Sequence, residues 1–247
     1  MITPAKWQTA EEDQRIASKM SYGEFRKKLV PHMREVVFYP DTKDIFDIQL
    51  PCGITYFLVG HTTQEFCNII NKMSTNKSVN SISSRQVGYT LWNPGYDIIS
   101  QLGTYIKLGS TLERKGKYIC KICSLLSNKK MWSSQGNTVY NCETLIDYDY
   151  NLGEYFDLAH FDSLEEAKSC KSYIETKFIR FLMLMGCTEG ICEQSFRFVP
   201  APTVLDEQGN RVPGKFDHIY TDAELYKTWN LPQKYIDVIE SVIKERA

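Results

Sequence analysis

The sequence predicts an α+β fold, and three observations carry that expectation. Two short runs of β-branched and aromatic residues, Val36-Val37-Phe38-Tyr39 and Ile54–Val59, stand in the first sixty residues. Two helix-opening signatures, Ser163-Leu-Glu-Glu166 and Thr221-Asp-Ala-Glu224, stand in the last hundred. With 247 residues, 43% of them apolar and 24% charged, the chain is long enough to bury a core and has an ordinary globular composition.

The elements follow in order. Ser21 to Arg34 places Tyr22, Phe25, Leu29 and Met33 at helical spacing, with Glu24 three residues after Ser21 as a capping box and Pro31 ending or kinking the helix. Val36–Tyr39, closed by Pro40-Asp41, and Ile54–Val59, between Gly53 and Gly60, are continuous apolar runs that predict strands buried on both faces. From His61 to about Asn141 periodicity weakens, and Ser74–Ser84 reads as a loop. After the capping box at Ser163, the residues Ala167, Cys170, Ile174, Phe178, Phe181, Leu182 and Met185 predict one continuous helix stopped by Gly186. Phe196–Pro200 reads as a strand end, and Leu205–Lys215 as a loop. A short helix follows Thr221, and Pro232 opens a terminal helix with the stripe Tyr235, Ile236, Ile239, Val242 and Ile243.

Composition narrows the function classes. No apolar run approaches the roughly 20 residues that span a bilayer, and Met1–Gln14 lacks the layout of a signal peptide, which predicts a cytoplasmic protein with no membrane partner. The eight cysteines are therefore expected to be reduced. Lys plus Arg (29) nearly balances Asp plus Glu (30) over the whole chain, yet the charge is unevenly placed along it. Residues 105–132 hold Lys107, Arg114, Lys115, Lys117, Lys121, Lys129 and Lys130 against Glu113, seven minus one giving +6, whereas residues 143–166 hold eight carboxylates and no Lys or Arg. Two solvated stretches that pair with each other would explain this; so would a phosphate-contacting face, because Lys and Arg contacts supply most non-specific affinity for DNA.

Three motifs invite chemistry. Asn93-Pro94-Gly95-Tyr96 is close to the Asn-Pro-Pro-Tyr tetrapeptide with which amino-methylating DNA methyltransferases hold a flipped base, but a Pro-Gly turn beside an aromatic explains it more simply. Cys120-Lys-Ile-Cys123 could offer half a zinc site, with Cys142 and His160 as further donors; the spacing matches no standard pattern, and buried strand thiols are the expectation. Pro40-Asp41 with Glu175-Thr-Lys177 has the residue types of a restriction nuclease, yet the latter pair falls inside the best predicted helix.

Several segments together resemble the C-terminal half of adenine-specific DNA methyltransferases of type II restriction–modification systems. They are Ile2-Thr-Pro-Ala-Lys-Trp7, Tyr39-Pro-Asp-Thr-Lys-Asp-Ile-Phe46, Cys52-Gly-Ile-Thr-Tyr-Phe-Leu58, Phe161–Ala167, Tyr173–Leu182, Phe198-Val-Pro200 and Tyr220–Tyr226. Their order and spacing agree with the family, while residues 63–145 show little resemblance. The resemblance implies a truncated α/β methyltransferase-like segment, residues 1–62, packed on a mixed target-recognition-like domain, residues 63–247. It carries over no catalytic residue, metal or cofactor, because the family's AdoMet-binding and adenine-holding motifs lie N-terminal to the matched part. The implied function is binding of double-stranded DNA without chemistry of its own; the charge distribution, not the resemblance, assigns the phosphate contacts to Lys107, Arg114, Lys115, Lys117, Lys121, Lys129 and Lys130. The rivals are a split methyltransferase, whose separate subunit supplies AdoMet and the adenine pocket, and an anti-restriction decoy whose carboxylates at 143–166 imitate phosphates.

Overall fold

The apolar run at 36–38 becomes the centre of a sheet in the computed structural model, which describes residues 2–243 apart from 9, 11, 18–19, 48–49, 51, 74–76, 78–79, 114, 124–141, 146–154 and 187–192. The chain forms two units that meet in sequence at residues 98 and 99.

The first unit contains β1 (Ile2–Pro4), β2 (Arg15–Ala17), β3 (Met20–Ser21), α1 (Tyr22–Leu29), β4 (Met33–Tyr39), α2 (Lys43–Phe46), β5 (Ile54–Val59), β6 (Cys67–Asn71) and β7 (Ser81–Arg85), and ends inside α3 (Asn93–Leu102). Its main sheet has the order β1-β5-β4-β6-β7, with β4 and β6 parallel and the other pairs antiparallel. Because side chains alternate along strands, the register sorts the sheet into two faces. One row, Thr3–Thr55–Phe38–Asn71–Ser81, and its neighbour Phe57–Val36–Ile69–Ser83 face the core. The opposite row runs Ile2–Tyr56–Val37–Ile70–Ile82, and its outer members Ile2 and Ile82 are exposed. The core gathers Trp7, Phe25 and Phe57 with ring centroids 5.8–6.3 Å apart, and the Trp7 indole donates to Thr55 Oγ1 at 2.9 Å. The capping box of α1 forms as the sequence predicts, Ser21 Oγ accepting from Glu24 N–H and Glu24 accepting from Ser21 N–H.

The second unit begins in the last turn of α3 and contains β8 (Tyr118–Cys123), β9 (Cys142–Leu145), β10 (Tyr155–Phe161), α4 (Leu164–Glu175), α5 (Lys177–Gly186), β11 (Thr203–Leu205), β12 (Arg211–Pro213), α6 (Asp222–Thr228) and α7 (Gln233–Val242). An antiparallel sheet of order β10-β8-β9 packs against α4. Every residue of α5, which follows, is buried, the pattern of a helix enclosed on all sides. Tyr173 on α4, fully buried, donates its hydroxyl to Pro200 O at 2.9 Å and meets the edges of Phe216 and Tyr220.

The mixed α+β class is as expected; several details differ. The first unit runs on to residue 98 rather than 62, because β6 and β7 pair into the same sheet as β4 and β5. Asn93–Tyr96 is the first turn of a helix, where Pro94 forfeits no intrahelical hydrogen bond, and not a Pro-Gly turn. The long helix from Ser163 to Gly186 is two helices: Thr176 takes an extended ψ of 148°, and its Oγ1 accepts from Ile179 N–H as the cap of α5. Residues 203–213, which overlap the loop expected over Leu205–Lys215, form a β-hairpin whose turn is closed by Gly209 at φ 81°. No helix among the described residues is long and apolar enough to cross a membrane.

Candidate nucleic-acid interface

The basic stretch does not form one surface of seven charges. Lys107 is exposed at the start of a short 3-10 turn, and Lys115 and Lys117 are exposed on either side of Gly116. Gly116 holds φ 145° with its α-carbon against the Phe161 backbone, where a Cβ would approach within 2.6 Å, so this turn requires glycine. Lys121 corrects the expectation. It is 2% exposed in β8, with its ammonium 3.5 Å from the Asp157 carboxylate, so its charge is engaged inside the fold and does not reach a phosphate. Arg114, Lys129 and Lys130 lie outside the described residues, as do Asp147, Asp149 and Glu154 of the acidic stretch. Of the carboxylates that are described, Asp157 serves Lys121 and lies 3.9 Å from His160, and Glu166 closes the capping box of α4.

The three motifs resolve into structural roles where they are described. Asn93 is 3% exposed and its amide is fully engaged. Its Nδ2 donates to Ile69 O (2.9 Å) and Ser81 Oγ (3.2 Å), and its Oδ1 accepts from Arg85 Nε (3.3 Å) and a terminal Arg85 nitrogen (3.1 Å). Asn71 completes the layer, accepting from Asn93 N–H and donating to Leu91 O, both at 2.7 Å. The Arg85 guanidinium lies 3.9 Å over the Tyr96 ring, and burial lowers its pKa to about 10. No hydrogen-bonding capacity of Asn93 remains for the amino group of a base. Cys120 is buried in β8, as a strand thiol would be; the side chains of Cys123 and Cys142 lie outside the described residues. Asp41 accepts from Lys43 N–H, Glu175 pairs with Lys171, and Lys177 pairs with Glu240.

The second unit instead presents an open groove of about 710 Å3 that no sequence motif marks. Three segments line it: Gln101 and Thr104 at the end of α3, Leu205 and Gly209–Arg211 on the β11–β12 hairpin, and Lys227–Asn230 where α6 turns into α7. Arg211 and Lys227 are its charged members, and no carboxylate joins them among the described lining residues. Both segments bearing them are pinned. Asp206 accepts from Gln208 N–H (3.0 Å) and Asn210 N–H (2.7 Å), which fixes the hairpin tip and holds the Asp206 carboxyl below its ordinary pKa, the Asn210 bond foremost. Arg211 donates to Leu102 O at 2.8 Å and lies over the Trp229 ring at 4.6 Å, while Asn230 adopts the left-handed conformation, φ 46°. The arrangement can neutralise anionic oxygens with Arg211 and Lys227 and offers the amides of Gln101 and Asn230 beside them, while the Asn210 amide is bonded to Asp206 at 3.2 Å. Such a groove is invisible to motif reading because Gln101 and Thr104 come from a segment distant in sequence from the hairpin and the α6–α7 turn.

Fold and site together define a two-unit α+β protein whose second unit carries a cationic, amide-lined groove. Compared with known proteins, the chain matches no family model, no curated protein and no solved structure.

Proposed function

We propose that this chain binds double-stranded DNA as the specificity half of an adenine-specific DNA methyltransferase of the restriction–modification type, with AdoMet binding and the adenine pocket supplied by residues other than these. The groove is the observation that carries the reading: two cations without a carboxylate can meet backbone phosphates, and Gln and Asn amides are the side chains that pair with adenine N6 and N7 in the major groove. The exposed Lys107, Lys115 and Lys117 add charge on the same unit. The saturated amide of Asn93 leaves that residue nothing with which to hold a target base, so the reading gives it no part in base chemistry.

Fluorescence anisotropy of a labelled duplex, titrated with the full chain at about 50 and about 200 mM salt, tests the reading. Micromolar or tighter binding that weakens steeply with salt is expected, as is a loss of affinity in Arg211→Gln/Lys227→Gln. Absence of binding at the lower salt, or full affinity in that variant, would overturn the assignment of the groove.

A further inference from the structure

A second concavity, of about 460 Å3, shares Thr104, Arg211 and Trp229 with the groove but is otherwise lined by residues the DNA reading does not use. Its size is that of a small-molecule pocket. Its lining includes the aromatic rings of Tyr105, Phe216 and Trp229 and the aliphatic Ile106 and Val212. Tyr105 meets the Trp229 ring edge-on, centroids 5.7 Å apart at 81°, and is held there by its hydroxyl donating to Phe198 O at 3.0 Å. Tyr105 cannot swing inward to fill the space without breaking that ring pairing and that hydrogen bond.

Two features separate this cavity from a packing defect. Among its described lining residues the charged ones are Arg211 and Lys215, both cationic; Asp217, two residues along, is engaged by His218. Arg211 commits one N–H to Leu102 O and rests over Trp229, so its guanidinium is positioned before any ligand arrives. Trp229, 4% exposed, also buries an indole N–H that meets no acceptor among the described residues. That penalty would be avoided by phenylalanine at the same place.

We propose that this cavity binds a small aromatic anion, a one- or two-ring molecule carrying a single carboxylate or sulfonate, with the ring among Tyr105, Phe216 and Trp229 and the charge facing Arg211 and Lys215. The proposal goes beyond DNA binding; it shares Arg211 with the groove, while Lys215, Tyr105 and Phe216 belong to this cavity alone.

A matched pair of probes isolates the charge requirement. Calorimetric titration of the full chain, without DNA, compares naphthalene-2-carboxylate with the neutral naphthalene-2-carboxamide. The carboxylate is expected to bind one per chain and at least tenfold more tightly than the amide, with a change in tryptophan emission that Trp229→Phe abolishes. Lys215→Gln, at an exposed position, should reduce the tenfold preference at least threefold, and Arg211→Gln/Lys215→Gln should erase it. Should the double variant fail to fold by circular dichroism, the Lys215→Gln result decides alone. Equal binding of both probes, no binding of either at millimolar concentration, or an unchanged preference in the variants would each overturn the proposal. None of these outcomes bears on duplex binding, which is measured separately.

Discussion

Asn93 shows how a residue that looks catalytic in a sequence can be a structural hub. In the family's tetrapeptide the Asn amide must be open to a ligand; here β6, β7 and the Arg85 guanidinium take all of it. Asn93→Ala therefore leaves the buried Arg85 guanidinium short of an acceptor and Ile69 O short of a donor, and a loss of about 3 kcal/mol in urea unfolding is expected. A near-neutral effect would mean that the amide is spare after all. His218 makes the opposite case, a residue with no motif and a legible electrostatic setting. Its Nδ1 lies 2.7 Å from Asp217 and its Nε2 2.9 Å from Glu224, and its ring centroid lies 4.1 Å from that of Tyr220. The hydrogen bond to Asp217, reinforced by Glu224, raises the His218 pKa above its ordinary 6.5, and the same bond lowers that of Asp217. The folded-state value lies above the unfolded one, so this contribution is full below about pH 6.5 and disappears as pH rises through the raised value. It fades again in acid, where Asp217 protonates. Thermal melts from about pH 5.5 to about pH 8.5 should therefore show a downward slope that His218→Gln flattens; equal slopes would show that the exposed pair is screened by solvent.

At the scale of elements, local chemistry is legible in the sequence and tertiary chemistry is not. The capping boxes at Ser21 and Ser163 form with both halves of their hydrogen bonding. At Thr221 the side chain caps Glu224 N–H, while the Glu224 carboxylate turns to His218, a partner that no local pattern reveals. The break at Thr176 is hidden for a similar reason. Its flanks keep helical apolar spacing, and what stops the helix is a distant carboxylate: Asp222, the first residue of α6, accepts from Lys177 N–H (3.0 Å) and Phe178 N–H (2.9 Å) at the start of α5. The strands β6 and β7 escape a reading by periodicity because β7 is a polar edge strand whose one large apolar residue, Ile82, points away from the core. The hairpin at 203–213 escapes it because its strands are three residues long. Removing the distant cap gives a test. Asp222→Ala should destabilise the chain by about 1–2 kcal/mol, the usual cost of losing a helix cap. If Asp222→Ala melts like the wild type, Thr176 alone suffices to start α5.

At the scale of the whole molecule, a net charge of −1 gives no general attraction to DNA, so any binding has to come from charges concentrated on one surface. Counting charges points to the stretch 105–132, but counting cannot distinguish Lys115 and Lys117, which face solvent, from Lys121, which is buried against Asp157. The groove escapes such counting because its cations, Arg211 and Lys227, stand in a stretch, 205–230, with five carboxylates against three cations. Salt dependence and sequence discrimination assign separate roles to these groups. Removing one phosphate-neutralising cation should flatten the slope of log affinity against log salt by about 0.9. Arg211→Gln/Lys227→Gln is thus expected to flatten it by about 2, and Lys115→Ala/Lys117→Ala by a similar amount, with affinity falling alike on every duplex. Gln101→Ala should behave differently, keeping the slope while reducing discrimination between the preferred duplex and random competitors by about 1–3 kcal/mol. If both cation variants retain the wild-type slope, neither surface meets phosphate. If Gln101→Ala alters the slope and leaves discrimination intact, the amide positions the backbone instead of reading bases.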